Sequence, residues 1–343
     1  MQKKDENEII INCWWDLCLD NKYKTKYYED NLTFFDKIAE HISDLLWIDF
    51  FIPYSSYNKV KNNSYRNPNY LFLENKNPDD VFDNIKYILD KWDINCFNLE
   101  SPISEDDPYY DVIWIDPTKV DILKKWNINY VNIANNHMFD LWVKGFRDTI
   151  ENLKKSWIHY FWWWLNSIES HKPVIFEKNW TRIWFLWYFQ NTRTNINYVC
   201  SAEWKPWINP ICEEEIFNDI SKAKKDFWVD LLFVSLHGDI ENHTRVSKQF
   251  EKLCKKIIEH WADWIFWHHS HVPKKIDIYM GKPIFYSFWN FIFGQYYKKF
   301  WKDNYFAQIK IQNKKIVQIY KYIITWDGKN IFQPNIIKTE NLI

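Results

Sequence analysis

The chain has 343 residues, enough for one large domain or two ordinary ones. Its net charge of −1 argues against a nucleic-acid partner, and its six cysteines, which form no CxxC pair, predict buried free thiols. No segment has the roughly eighteen apolar residues of a membrane span and no signal peptide is visible, so the sequence as written predicts a cytoplasmic protein.

In chain order, short apolar runs typical of buried strands alternate with amphipathic stretches typical of helices. This order predicts an α/β fold whose strands are covered on both faces. We expect one domain over 1–343, with a polar, turn-rich surface insertion at 52–78 and antiparallel strands at 304–343. The other expected strands are 8–13, which a turn follows, 94–100, 128–137, 158–161, 229–237, 262–266 and 282–288, and the expected helices are 31–50, 79–91, 116–127, 144–156 and 244–260.

The tryptophan and glycine contents are both unusual. The chain has 23 Trp and 5 Gly, whereas an ordinary usage of about 7% predicts roughly 24 glycines. In the segments DKWD, KKWN, KSWI and EHWAD, a tryptophan ends an amphipathic run at the C′ position, where glycine adopts the left-handed conformation without a Cβ penalty. We therefore predict that most tryptophans stand where the natural protein carries glycine, through a UGA codon read as glycine in an AT-rich genome.

Polar side chains recur at the ends of the predicted strands, where sites form in open α/β sheets. Their mixture of carboxylates, one amide and several imidazoles suits Zn, Mn or Fe better than Mg or Ca. Singly, each has a plainer role, such as a helix N-cap or a core histidine, but three histidines within four positions rarely serve a core. The candidates are Asp16, Glu100, Asn136, His137, His237, His268, His269 and His271.

Five segments carry a family resemblance. They are WWDLCL (14–19), NLESPI (98–103), NIANNHMFDLW (132–142), SLHGD (235–239) and the histidine-rich block 261–291. With tryptophan read as glycine, they resemble the CapA-type proteins of poly-γ-glutamate capsule synthesis, a branch related to calcineurin-like metallophosphoesterases. The resemblance spans roughly 9–295, and the tryptophans at 15, 142, 261, 267 and 289 fall at glycine positions of the family.

The resemblance implies a calcineurin-like metallophosphoesterase fold, in which two β-sheets are flanked by helices in four α-β-β-α layers. It also implies one or two divalent metal ions, Mn, Zn or Fe. The implied ligands are Asp16 and His271 for the first ion and Asn136, His237 and His269 for the second, with Glu100 near the position that bridges them.

The remaining implied roles concern the leaving group and the metal stoichiometry. His137 would stand beside the leaving group as proton donor or charge stabiliser, and His268 could replace His269 as ligand. The chain departs from the metallophosphoesterase pattern at 16–18 (Asp-Leu-Cys for Asp-x-His) and at 98–100 (Asn-Leu-Glu for Gly-Asp-x-x-Asp). One ion would therefore be weakly held or absent.

The implied function is a metal-dependent hydrolase of CapA type that acts on a phosphoester or an anionic polymer, with membrane proteins of capsule synthesis as partners. Family members are often membrane-anchored or extracytoplasmic. Two alternatives stay open. One is a non-catalytic capsule-assembly factor with a vestigial metal site, and the other is an aromatic-rich protein that binds carbohydrate on tryptophan platforms.

Overall fold

The computed structural model describes residues 7–17, 82–105, 114–161, 174–190, 209–240, 243–288, 290–292, 304–327 and 330–343. The expected helix at 31–50 and insertion at 52–78 lie outside these residues. The strands are β1 (Ile9–Leu17), β2 (Ile94–Leu99), β3 (Tyr130–Asn132), β4 (His159–Phe161), β5 (Val174–Lys178), β6 (Thr181–Phe189), β7 (Leu231–His237), β8 (Trp264–His268), β9 (Ile276–Tyr279), β10 (Lys282–Phe285), β11 (Asn290–Ile292), β12 (Asn304–Gln312), β13 (Lys315–Asp327) and β14 (Asn330–Asn341). The helices are α1 (Lys86–Leu89), α2 (Val120–Lys125), α3 (Trp142–Lys155), α4 (Glu213–Asp226) and α5 (Lys248–Glu259), and 3-10 turns cover Asp83–Ile85, Pro117–Lys119 and Asn136–Phe139.

The described strands form two sheets. The first has the order β14-β13-β12-β1-β2-β3-β4, with β11 also paired to β1, and the second has the order β5-β6-β7-β8-β10-β9. Strands β1 to β4 run parallel, as do β6, β7, β8 and β10, so the carboxyl ends of each set share one edge. Strands β12, β13 and β14 are antiparallel and extend the first sheet beyond β1.

Strand β6 shows how the second sheet is layered. Phe185 and Trp187 belong to the large core that also contains the strands of the first sheet. Trp184 and Leu186 belong to a second core, together with buried residues of α4 and α5. Because successive side chains of a strand point to opposite faces, the second sheet lies between the first sheet and these two helices.

Helices α1, α2 and α3 accompany the first sheet. Leu89, Leu123 and Ile150, one from each helix, are buried in the same cluster as the strands of that sheet. The predicted fold, two β-sheets flanked by helices, is thereby confirmed, and the central strands are buried on both faces as expected for parallel strands. Within the described part of the chain, no helix combines the length and apolarity needed to cross a membrane.

The turn expected directly after residue 13 is absent, because β1 continues to Leu17. Asp16 and Leu17 pair with Asn98 and Leu99 of β2, after a register shift that follows Cys13. The prediction was wrong because a bulge, which inserts an extra residue into a strand without ending it, looks like a turn in the sequence.

The predicted C′ tryptophans divide into two groups. Trp157 (φ 58°) and Trp261 (φ 78°) take the left-handed conformation just after α3 and α5, as predicted. The prediction was wrong for Trp92, which lies outside that region, and for Trp126, which caps α2 with φ −96°. There Asn127 (φ 55°) is the left-handed residue, because Trp126 is needed in the core, where it is only 1% exposed.

Candidate metal site

The carboxyl ends of the parallel strands of both sheets meet at one site. Glu100 directly follows β2, His237 ends β7, and His269 and His271 follow β8. Glu100 Oε1 lies 3.4 Å from His237 Nε2 and 3.7 Å from His271 Nε2. The polar residues that the sequence placed at separate strand ends are therefore in contact across the two sheets.

Glu100, His269 and His271 form a group that could hold a metal ion. One ligand atom of each lies within 4.8 Å of the others, and all three residues are buried. Two atoms that bind one ion at about 2.1 Å lie about 3.0–3.4 Å apart. The 3.7 Å between Glu100 Oε1 and His271 Nε2 is slightly longer than this, and the 4.8 Å limit for the whole group is wider. A carboxylate with two imidazoles is also a donor set that suits Zn, Mn or Fe. The residues present thus fit such an ion in their chemistry, with donor atoms somewhat farther apart than in a loaded site.

Asn136 and His137 reach the same site from the turn that follows β3. Asn136 Oδ1 lies 2.8 Å from His237 Nε2, which in turn faces Glu100. His137 Nδ1 lies 2.8 Å from Asp140 Oδ2, and the imidazole is 22% exposed. Both residues are half-buried, and Asn136 contacts the buried His237, whereas His137 pairs with Asp140.

A network of buried asparagines positions this turn. Asn98 Oδ1 accepts hydrogen bonds from Asn132 Nδ2 at 2.9 Å and from Asn135 Nδ2 at 3.2 Å. Asn135 Nδ2 also donates to the Leu99 carbonyl at 2.8 Å, and its Oδ1 accepts from the His137 N–H at 3.2 Å. The network ties the end of β2 to the turn after β3. Our sequence reasoning did not identify it, although buried asparagines at strand ends signal such networks because buried amides need partners.

The loop after β8 bends through left-handed backbone at two of its histidines. His269 has φ 91° and His271 has φ 48°. For a residue with a Cβ atom this conformation costs about 1–2 kcal/mol, although histidine tolerates it better than most residues. Strain of this kind concentrates at functional sites, where the surrounding structure imposes it.

His268 stays within β8 and differs from its two neighbours. Its ring lies 6.4 Å from the His237 ring, 5.8 Å from that of Phe266 and 6.3 Å from that of Phe288. It is not a member of the group formed with Glu100. Of the two histidines that the sequence left open, His269 is the one that lies with Glu100 and His271.

Asp16 reaches the same edge of the first sheet. Its backbone pairs with Asn98 of β2, two residues before Glu100, while its side chain lies outside the described residues. Trp267, which precedes His268 in β8, points away from the site into the core under α4 and α5. Its ring N–H donates to the Gly238 carbonyl at 2.8 Å. The alternation of side chains along β8 sends it to the face opposite His268.

The comparison with known families gives a match that covers most of the chain. Residues 53–295 match the family described as bacterial capsule synthesis protein PGA_cap. The chain belongs to this family. The resemblance found in the sequence is thus confirmed, and the family's relation to metallophosphoesterases agrees with the two-sheet fold.

Curated relatives carry related names. PGA biosynthesis protein CapA of Bacillus subtilis (strain 168) is 27% identical over 228 residues, which cover 65% of this chain and 59% of that protein. Capsule biosynthesis protein CapA of Bacillus anthracis is 31% identical over 178 residues, 51% of this chain and 43% of that protein. The chain thus spans about half the length of these relatives. A hypothetical protein from Thermus thermophilus, known from its crystal structure, aligns with a TM-score of 0.46 and 11% identity over 72% of this chain and 93% of that one.

Proposed function

We propose that this protein is a metal-dependent hydrolase of CapA type that cleaves a phosphoester or a related linkage of an anionic polymer. The observation that carries the proposal is the cluster of Glu100, His269 and His271 where the two sheets meet. Family membership supports a role in capsule synthesis. We also propose that membrane proteins of that process are its partners. The names of both curated relatives point the same way.

The ligands divide into two sets that share one carboxylate. His271 would bind one ion together with Glu100, and Asn136, His237 and His269 would bind a second ion with the same carboxylate. Asp16 would complete the first set, so the site would hold one or two Mn, Zn or Fe ions. A bound divalent cation would polarise the phosphoryl oxygen and lower the pKa of its water toward roughly 7.

The surrounding residues supply the rest of the chemistry. The hydrogen bond between Asp140 and Nδ1 of His137 fixes the orientation of the imidazole ring. Nε2 is then the ring nitrogen that would transfer a proton to the leaving group. Glu100 and His237 are almost completely buried, so they act in a medium of low dielectric constant in which charges interact strongly. Because His137 is partly exposed, a polymer chain can reach it from solvent.

A phosphodiesterase assay with added Mn²⁺ or Zn²⁺, combined with elemental analysis, tests the proposal. We expect His137→Ala to keep the metal and to lower kcat by about 10²–10⁴-fold, the range for loss of an acid–base group. We expect Glu100→Gln to lower metal affinity by at least about 10–100-fold, because a direct ligand should matter no less than its supporting partners. His159→Ala, which removes an exposed histidine from β4, is the matched control and should change neither quantity.

The outcomes separate the remaining functions. Absence of bound metal from the unaltered chain would overturn the proposal. Stoichiometric metal without hydrolysis of any phosphodiester, equally in the unaltered chain and in His137→Ala, would favour a non-catalytic assembly factor. Equal activity of the unaltered chain and His137→Ala would remove the role assigned to that histidine.

A further inference from the structure

A buried ion pair joins the two loops that carry the imidazoles of the second sheet. Lys274 Nζ lies 2.6 Å from Asp239 Oδ2, and the side chains are 0% and 3% exposed. Asp239 follows His237 by two residues, and Lys274 follows His271 by three. The pair therefore connects the loop after β7 with the loop after β8, just beyond the candidate ligands.

The loop after β7 turns sharply and is held at each residue. The His237 carbonyl accepts from the Gln190 N–H at 2.7 Å, and the Gly238 N–H donates to the His268 carbonyl at 3.3 Å. The Asp239 N–H donates to Gln190 Oε1 at 2.6 Å, while the backbone of Asp239 is left-handed with φ 71°. These bonds orient the Asp239 carboxylate toward Lys274, so a change at this carboxylate is transmitted to His237.

Lys274 is anchored on its other side. Its N–H donates to the Ser287 carbonyl at 3.3 Å, and its carbonyl accepts from the Tyr305 hydroxyl at 2.9 Å. The single proton of this hydroxyl is shared with the Ser287 carbonyl, which lies 2.7 Å away, and Tyr305 belongs to β12 of the first sheet. The ammonium group therefore extends from backbone that both sheets hold in place.

The energy of a buried ion pair explains a role in positioning the two loops better than a role in stabilising the fold. Removing two charges from water is expensive, so replacing a buried ion pair with apolar side chains often leaves a protein equally stable or makes it more stable. Burial accordingly lowers the pKa of Lys274, against the opposing influence of Asp239. Because the two charges are buried in contact with each other, the pair fixes the distance between the loop after β7 and the loop after β8.

We propose that Asp239 and Lys274 are a positioning pair that sets the placement of His237 relative to His269 and His271, and thereby the metal affinity of the site. This inference rests on the proposed function. Neither residue belongs to the group of side chains that could hold a metal ion.

The test is a Co²⁺ titration of the full chain, followed by visible absorption, with Asp239→Asn and Lys274→Met. Asp239→Asn keeps the shape of the side chain, so it should fold even if Lys274→Met does not. We expect each variant to bind Co²⁺ about 10–100-fold more weakly, as for loss of other supporting partners of a metal site. The Co²⁺ absorption bands should also shift, because they report the ligand geometry. The unfolding of the metal-free proteins is measured in parallel.

An ion pair at the opposite ends of the same strands provides the matched control. Asp263 Oδ2, just before β8, lies 3.4 Å from Lys224 Nζ and accepts from the Leu232 N–H of β7 at 2.9 Å. We expect Asp263→Asn and Lys224→Met to change stability but to leave Co²⁺ affinity and spectrum as in the unaltered chain. A purely structural role would make both pairs behave alike.

Three outcomes are decisive. Weaker binding and a shifted spectrum in Asp239→Asn, but not in Asp263→Asn, support the inference. Unchanged affinity and spectrum in Asp239→Asn, with the unaltered chain binding Co²⁺ well, overturn it while the proposed function survives. Failure of the unaltered chain to bind Co²⁺ overturns both.

Discussion

At the scale of single residues, five tryptophans in the described part of the chain adopt a backbone conformation that suits glycine. Their φ values lie between 51° and 78°, and each side chain is at least 56% exposed. The left-handed region costs a residue with a Cβ atom about 1–2 kcal/mol, and an exposed indole recovers little of that by burial. This supports the proposal that glycine occupies these positions in the natural protein. The residues are Trp142, Trp157, Trp180, Trp228 and Trp261.

Trp157, which follows α3 with φ 58° and is 84% exposed, gives a direct test. We expect Trp157→Gly to raise the free energy of unfolding by about 0.5–1 kcal/mol. Relief of left-handed strain, about 1–2 kcal/mol, outweighs the extra freedom of glycine in the unfolded chain, about 0.5–1 kcal/mol. Urea denaturation followed by circular dichroism measures the difference.

Two variants serve as controls. Trp157→Ala keeps a Cβ atom and should bring no such gain. Trp126→Gly should lower the free energy of unfolding by at least about 3–5 kcal/mol, because it empties a core position where the indole packs 5.3 Å from the Phe82 ring. A Trp157→Gly variant no more stable than Trp157→Ala would count against glycine at this position.

At the scale of elements, the short turn after β3 has a larger role than its length suggests. It presents Asn136 and His137 to the site, yet only four residues form it. So short a helical turn has little stability of its own, because it closes few hydrogen bonds for the backbone freedom it loses. Its placement depends instead on Asn135. The side-chain oxygen of Asn135 caps the turn, and its amide nitrogen donates to the side chain of Asn98 and to the carbonyl of Leu99.

Substitution of Asn135 separates these two contributions. We expect Asn135→Ala to lower the free energy of unfolding by about 2–3 kcal/mol, through loss of the cap and of the buried bonds to Asn98 and Leu99. Asn135→Ser keeps an oxygen that can accept from the His137 N–H and adds no buried charge, so its loss should be smaller than that of Asn135→Ala because the cap is retained. Chemical denaturation of both variants measures the difference. Equal stability of Asn135→Ala and the unaltered chain would show that the turn is held by other contacts.

At the scale of the whole molecule, the second sheet is shared by two cores. One face of β6, β7 and β8 packs in the core with the first sheet and the other face packs under α4 and α5. Loss of either core therefore exposes the same strands, and we expect both to unfold together, as in other cooperative domains.

Three buried cysteines can report on this coupling. Cys13 and Cys96 lie in the core with both sheets and Cys254 lies in the core under α5, in agreement with the buried thiols predicted from the sequence. Burial raises the pKa of all three thiols, so at pH 8 they are protonated and unreactive in the folded protein. We expect pulse alkylation with iodoacetamide, read by peptide mass spectrometry, to label all three at the same urea concentration.

The half-buried Cys212 provides the internal control, because it should be labelled before any unfolding. Labelling of Cys254 at a clearly lower urea concentration than Cys13 would show that the helix-side core opens independently. The expected order follows from burial and pKa together, since a protonated and inaccessible thiol reacts only after the protein opens.

Much of the fold and part of the site could be predicted because they follow from local pattern. Apolar runs at β2, β7 and β8 imply parallel strands, and parallel strands bring their carboxyl ends to one edge, so Glu100 and His237 were identifiable from sequence. Strands β5 and β6 were not predicted. Their stretch is so rich in aromatic residues that it shows no clear alternation, since both faces of β6 are buried.

Other features depend on contacts between distant parts of the chain. Local pattern specifies that an aspartate follows β7 and that a lysine follows the histidine loop, but not that they meet at 2.6 Å. The same holds for the different positions of His268, which stays within β8, and His269, whose left-handed backbone lies in the loop beside Glu100. The hydrophobic periodicity of strands and helices relates residues that are close along the chain, so it can be recognised in the sequence. The stacking of two sheets brings Glu100 to the imidazoles, and that arrangement exists only once the hydrophobic cores have formed.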